Sequence, residues 1–260
     1  MLTVDAKTLA RALPYDQLID AVDRAFALEV EVPLRSHHTV PVPGGTEGTL
    51  LVMPAWRTGQ SMGIKIATVF PDNAEIDRPA VFASYLLLSA ETGVPVAVLD
   101  GSEITVRRTA AASALASRYL SRRDSERLLM VGTGNLGGAM IRLIAPLGPK
   151  IIGVNRKGGT IDGCSKIITV DKIDSILPEA DILYLAMPET PETKNLISRK
   201  RLDLLKPSCG IVNIGRQSTI DYDALCEKLR TNEIAGAILD VFTPEPIKPN
   251  SKLWQIPNLI

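Results

Sequence analysis

Between Met130 and Met140 the chain reads MVGTGNLGGAM, with Gly132, Gly134 and Gly137 in the pattern G-x-G-x-x-G. Glycines at this spacing suit a loop that must pass close to an anion. The first allows a tight turn, the second lets backbone approach a pyrophosphate, and the third lets helix and strand pack together. Asn135 and Leu136 open the following helix, whose free N–H groups and dipole favour phosphate oxygens. With 19 glycines in the chain, the spacing alone is weak, and a glycine turn of purely structural use is the plainer alternative. Its setting, after an apolar strand and before a helix, is what points to a nicotinamide dinucleotide, NAD or NADP. About 20 residues further on, NAD sites place an acid for the ribose hydroxyls. Here that place holds Asn155, Arg156 and Lys157. Cations there favour the extra phosphate of NADP, and a solvated loop is the other reading.

Positioning such a loop requires strands and helices in alternation, and the chain supplies them from Arg127 onward. RLLMVG, KIIGVNR, SKIITV, ADILYLAMP, CGIVNIG and AGAILDVF read as short apolar strands. NLGGAMIRLIAPLG, DKIDSILP, SRKRLDLLK and DYDALCEKLRT read as the helices between them. This alternation implies parallel strands with right-handed crossovers, hence an α/β fold with a Rossmann-type doubly wound sheet. The preceding part reads as a smaller mixed α/β domain. Residues 13–29 form a helix with Leu18, Ala21, Ala25 and Leu28 on one face. Strand-like runs follow at SHHTVPVP, TLLVMPAW, MGIKIATVF, VFASYLLLSA and VPVAVLD, and Ser102 caps a long alanine-rich helix to Leu120. The polar stretch SRRDSER (121–127) reads as the hinge, giving a substrate-binding and dimerisation domain over 1–122 and a dinucleotide-binding domain over 123–260.

Composition narrows the partners. Lys plus Arg and Asp plus Glu each number 29, for zero formal charge. That balance argues against nucleic acid or an anionic membrane as the main partner. Cys164, Cys209 and Cys226 form no C-x-x-C pair, so neither a disulfide framework nor a metal site is expected, and a reducing cytoplasm fits. No secretory signal or membrane span is read in the chain.

Up to about residue 140 the chain resembles the ornithine cyclodeaminase/μ-crystallin family. The resemblance is carried by VPLRSHHTVPVP, LLVMPAW, MGIKIATVFPDN, VAVLDGSEITVRRTAAASALASRYL and LLMVGTGNLG. It implies a small amino- or imino-acid substrate, a nicotinamide cofactor and a homodimer built through the first-domain sheet. It assigns the carboxylate-binding and catalytic positions to Arg35, Lys65 and Arg108. Their chemistry agrees, since arginine grips carboxylates through a planar fork and a partly buried lysine can move protons.

From about residue 145 the chain resembles the NAD-binding domain of the D-isomer-specific 2-hydroxyacid dehydrogenases, through PLGPKIIGVNRKG, ADILYLAMPETPETKNLIS, LLKPSCGIVNIGRQSTIDYDAL and AGAILDVFTPEP. This resemblance places a substrate-carboxylate role on Arg216 and a histidine-tuning role on Glu245. It sets Asp240 near the nicotinamide. Leu185, Met187, Pro188 and Thr190, with Ile214, Gly215 and Arg216, line the cofactor. The family's catalytic histidine would follow WQIPNLI, beyond Ile260, whereas the chain's two histidines are His37 and His38. The catalytic aspartate of the first family has no match either. Each active site is thus represented by part of its set, which suggests a chimera of the two families, with some apolar first-domain surface left uncovered.

The leading expectation is an NAD(P)-dependent oxidoreductase that reduces a small imino or keto carboxylate, such as a ketimine or pyrroline carboxylate, or acts like ornithine cyclodeaminase. The alternatives are a D-2-hydroxyacid dehydrogenase-like enzyme and a non-catalytic, chimeric NAD(P)-binding protein.

Overall fold

The computed structural model describes all 260 residues and separates into two compact units, Met1–Arg108 and Thr109–Ile260. The first contains β1 (Leu2–Val4), α1 (Ala6–Ala12), α2 (Tyr15–Phe26), β2 (Ser36–Val40), β3 (Gly48–Arg57), β4 (Ser61–Val69), β5 (Val81–Ser89) and β6 (Pro95–Asp100). The helix α3 (Gly101–Leu120) contributes residues to both units.

In the first unit the strands form one sheet in the order β1-β6-β5-β4-β3-β2, with β1 parallel to β6 and the other pairs antiparallel. Side chains alternate between its faces. One face carries the buried Gly63, Ala67 and Ala97. The other carries Ile66, Phe82 and Val96, exposed at 38%, 47% and 42%.

Two local expectations are corrected here. The buried residue of α2 is Ile19, with Tyr15, Leu18 and Val22 half-buried, so Leu18 lies inward as expected, while Ala21, Ala25 and Leu28 are exposed. The bulkier Tyr15, Ile19 and Val22 share a stripe at i, i+4, i+7 and set the rotation of the helix. The cap of α3 is Asp100 rather than Ser102: its Oδ1 accepts from Glu103 N at 2.7 Å. The carboxylate at the end of β6 reaches the first-turn N–H groups before the serine does.

The second unit contains β7 (Arg127–Val131), α4 (Asn135–Ile144), β8 (Lys150–Asn155), β9 (Lys166–Thr169), β10 (Ile182–Leu185), α5 (Arg199–Leu202), β11 (Gly210–Asn213), α6 (Tyr222–Arg230) and β12 (Gly236–Leu239). All six strands are parallel, in the order β12-β11-β10-β7-β8-β9. Counted within the unit this is 6-5-4-1-2-3, the Rossmann order, with its switch point between β7 and β10. The expected helix at DKIDSILP is two 3-10 turns, Val170–Ser175 and Leu177–Glu179. Pro178 provides no N–H to continue an α-helix, yet Ile173 and Leu177 are still fully buried.

The sheet buries the apolar strands on both faces, as parallel sheets require. Its core runs through Leu129, Val131, Ile152, Val154, Leu183, Leu185 and Ile211. At the entering end of β10, Asp181 accepts from the N–H groups of Glu126 and Arg127, each at 3.0 Å, and from Lys206 Nζ at 2.5 Å. Within this unit Tyr184 joins β10 to α3 through hydrogen bonds with Ser117 Oγ and Ser113 O.

Candidate functional site

The residues singled out by type and spacing fall into two clusters, one in each unit. In the first, β4 sets Lys65 between Met53 on β3 and Tyr85 on β5, its direct cross-strand partners. All three therefore share a face. Arg35 immediately precedes Ser36, whose partner Val52 adjoins Met53, so the arginine sits at the end of the same row. Arg108, on the second turn of α3, is exposed and close enough to act on Lys65 electrostatically. Lys65 itself is half-buried and has no carboxylate partner. Burial first, and then the positive charge of Arg108, hold its pKa below the usual lysine value. Such a lysine gives up its proton more readily than one on an open surface, and the Arg108 guanidinium acting on it suits a bound carboxylate.

The second cluster lies at the C-terminal ends of β7, β8, β10, β11 and β12. Gly132 adopts φ +97°, and a Cβ there would press on Ala186 C at 2.8 Å and Met187 N at 2.9 Å. A Cβ on Gly137 would collide with Gly132 O, so helix α4 crosses the loop at backbone contact. Gly134 is the N-cap of α4 and supplies no side-chain cap, and the space where its Cβ would project is open. The first-turn N–H groups, Asn135 and Leu136 included, thus lack a side-chain acceptor and border open space. This arrangement fits the pyrophosphate of a dinucleotide.

Around this cradle the neighbouring loops interlock. Asn155 Nδ2 donates to Thr133 Oγ1 at 3.1 Å, and its Oδ1 accepts from Lys157 N and Gly158 N. The side chains of Arg156 and Lys157 remain exposed beside it. The loop after β10, with Met187 and Pro188, touches that of β11: a Cβ on Gly215 would meet Met187 N at 3.0 Å. Glu189 accepts from Ser218 Oγ at 2.7 Å. Asn213, fully buried, accepts from Gly215 N at 3.0 Å and donates to Arg216 O at 3.2 Å, shaping the turn that carries Ile214 and Arg216. Arg216 is exposed, with Nη1 donating to Gly215 O at 2.7 Å. Asp240 N donates to Asn213 O at 3.0 Å, which sets Asp240 beside this turn. Glu245 is exposed on the loop beyond β12.

Three supporting residues escaped the sequence reading. Thr133 occupies a variable position of the glycine pattern, and Asn213 opens the N-I-G-R turn, whose sequence signal is read for Ile214, Gly215 and Arg216 alone. Tyr85 is brought to Lys65 only by strand register, which no local spacing reveals.

Comparison with known proteins finds two families, whose matches overlap over residues 102–147. The model of the ornithine cyclodeaminase/mu-crystallin family matches residues 3–147. That of the D-isomer specific 2-hydroxyacid dehydrogenase NAD binding domain matches residues 102–260. A Delta(1)-pyrroline-2-carboxylate reductase of Colwellia psychrerythraea is 34% identical over 144 residues, covering 55% of this chain and 45% of that protein. A glyoxylate/hydroxypyruvate reductase B of Pectobacterium carotovorum is 44% identical over 88 residues, covering 34% and 28%. A solved Delta(1)-pyrroline-2-carboxylate reductase of Thermococcus litoralis, in complex with NADH and L-proline, superposes with a TM-score of 0.65. It is 23% identical and covers 83% of this chain and 69% of its own, a likeness of fold. The chain spans about half the length of the curated relatives it matches. No helix is long and apolar enough to cross a membrane. The chain belongs to two families at once: to the ornithine cyclodeaminase/mu-crystallin family through its first part, and to the 2-hydroxyacid dehydrogenase family, by way of that family's NAD-binding domain, through its second.

Proposed function

We propose that this protein is an NAD(P)-dependent reductase of a small imino carboxylate. The observation that carries this reading is Lys65, half-buried and without a carboxylate partner, beside Arg108 and in one row with Arg35. The likeness to a Delta(1)-pyrroline-2-carboxylate reductase, 34% identical over 144 residues, supports it. In this reading the first unit binds the substrate and the second the cofactor.

Arg35 and Arg108 hold the substrate carboxylate through charge-assisted hydrogen bonds. Lys65 Nζ donates a proton at the substrate nitrogen, helped by surroundings that already disfavour its charged form. The glycine loop and the first turn of α4 hold the pyrophosphate. Arg156 and Lys157 take the ribose phosphate of NADP, which makes NADPH the preferred cofactor. The bound dinucleotide supplies hydride. The open face carrying Ile66, Phe82 and Val96 is covered by a second copy of the chain, making a homodimer. The two-family composition reflects recombination near the glycine loop, where both families need the same geometry, and a reducing cytoplasm suits the free cysteines.

A second reading is favoured by the turn that Asn213 builds around Arg216, with Asp240 beside it. Under it, Arg216 binds a 2-oxo acid and the protein acts as a 2-hydroxyacid dehydrogenase. Oxidation of NADPH and NADH, followed in parallel with cyclic imino acids and 2-oxo acids, separates the two. Turnover on imino acids alone is the expected result. Turnover on 2-oxo acids that is lost in Arg216→Ala would replace this reading with the second. Cofactor binding without turnover on either class would leave a non-catalytic binding protein.

A further inference from the structure

The Lys65 row holds one group to which the reading above gives no task. Tyr85 stands directly opposite Lys65 on β5, and the ring does not rise straight off the sheet. It leans along it: a Cβ on Gly63 would collide with the Tyr85 hydroxyl and the ring carbon that bears it. Gly63 is therefore what lets the ring lie down over β4. Because Gly63 is two residues before Lys65 on the same strand, the hydroxyl lies about 7 Å along the strand from the Lys65 backbone. An offset of that size is comparable with the span of a small ring carboxylate, so Lys65 and the hydroxyl are spaced to meet different parts of one substrate. No protein group hydrogen-bonds this hydroxyl. Burial raises its pKa, so it remains a neutral donor.

A free donor in a half-buried row loses its water when a substrate enters, and only an acceptor on the substrate restores the bond. A ring of bare methylenes at that position leaves the donor without a partner. We infer that Tyr85 is the specificity-determining residue of this site, selecting small imino carboxylates that bear a ring hydroxyl on the side away from the imine nitrogen. This rests on the imino-carboxylate reading of Lys65.

The test uses the full chain, its Tyr85→Phe variant and its Gly63→Ala variant, with melting curves to confirm that each is folded. Two readouts are taken. One is kcat/KM for a five-membered cyclic imino carboxylate and for its ring-hydroxylated counterpart. The other is binding of L-proline and of hydroxyproline, which needs no turnover. The wild-type protein should favour the hydroxylated member of each pair by about three- to tenfold. Tyr85→Phe should bring both ratios close to one, and Gly63→Ala, by displacing the ring, should do the same. Equal ratios in the wild-type protein, or a preference that survives Tyr85→Phe, would overturn the assignment. Lack of imine turnover with the binding preference intact would overturn the proposed reaction and uphold the tyrosine contact. Failure to bind either amino acid would overturn both.

Discussion

The two units bury their sheets very differently. In Met1–Arg108 four hydrophobic residues are buried, Leu9, Ile19, Ala67 and Ala97, two of them alanines. In Thr109–Ile260 most of the strand residues are buried, and one continuous core joins a face of the sheet to the helices packed on it. The difference follows from topology. A parallel sheet with crossovers on both faces covers itself, whereas an antiparallel meander with two short helices leaves a face to be covered from outside. The second unit thus covers its own sheet on both faces, and the first leaves one face exposed.

The largest expected effect on this contrast comes from the second core. Leu183 is fully buried in the central strand β10, and Leu183→Ala should destabilise the protein by about 2–5 kcal/mol through lost burial and a residual cavity. Ile66→Ala on the open face should cost less than about 1 kcal/mol in dilute, monomeric protein. Urea denaturation of both variants checks the ratio, and equal losses would mean that the first sheet is as well covered as the second. Next comes self-association. Ile66→Asp should turn a dimer into a monomer in sedimentation while leaving cofactor binding unchanged, and a dimer that persists would place the contact elsewhere.

The smallest effect concerns acid. Burial alone would raise the Asp181 carboxyl, but the bonds from Lys206, Glu126 N and Arg127 N outweigh it and hold the pKa below the usual value. A depressed folded-state pKa contributes stability that is present above the unfolded value of about 3.9 and is lost as pH falls through the folded value. Asp181→Asn should therefore be less stable than the wild-type protein at neutral pH, and the gap should narrow below about pH 4. A gap independent of pH would show that the aspartate acts by packing rather than by charge.

How much of this was legible in the sequence differs between the units as well. The second could be read almost strand by strand, because each apolar run is short, bounded by Gly, Pro or Asn, and buried on both faces. The glycine loop was legible for the same reason, since its pattern and its flanking strand and helix are all local. The first unit hid more. Five of its six strands are legible as apolar runs, but the short β1, like α1, is not, and apolar residues stand on both faces of β3, β4 and β5, so alternation does not say which face stays open. The stripe of α2 was misplaced because small alanines were weighed equally with Tyr15, Ile19 and Val22. The polar stretch 121–127 reads as a hinge, whereas the boundary between the compact units falls within α3, at Arg108, and the later residues of that helix pack on the second sheet: Leu120 lies against Gly210 and Gly236. Tyr85 and Lys65 are twenty residues apart in sequence, and only the register of β4 with β5 makes them neighbours.

The central claim is that the chemistry resides in the first unit, at Lys65, and the cofactor in the second. The most direct measurement is Lys65→Ala, assayed for NADPH-dependent reduction of a cyclic imino acid and, on the same sample, for NADPH affinity by fluorescence titration. Turnover should fall by at least about a hundredfold, with the affinity within twofold of the wild-type protein. Unchanged turnover would contradict the claim outright, and a matching loss of cofactor affinity would mean that the two units do not divide the task in this way.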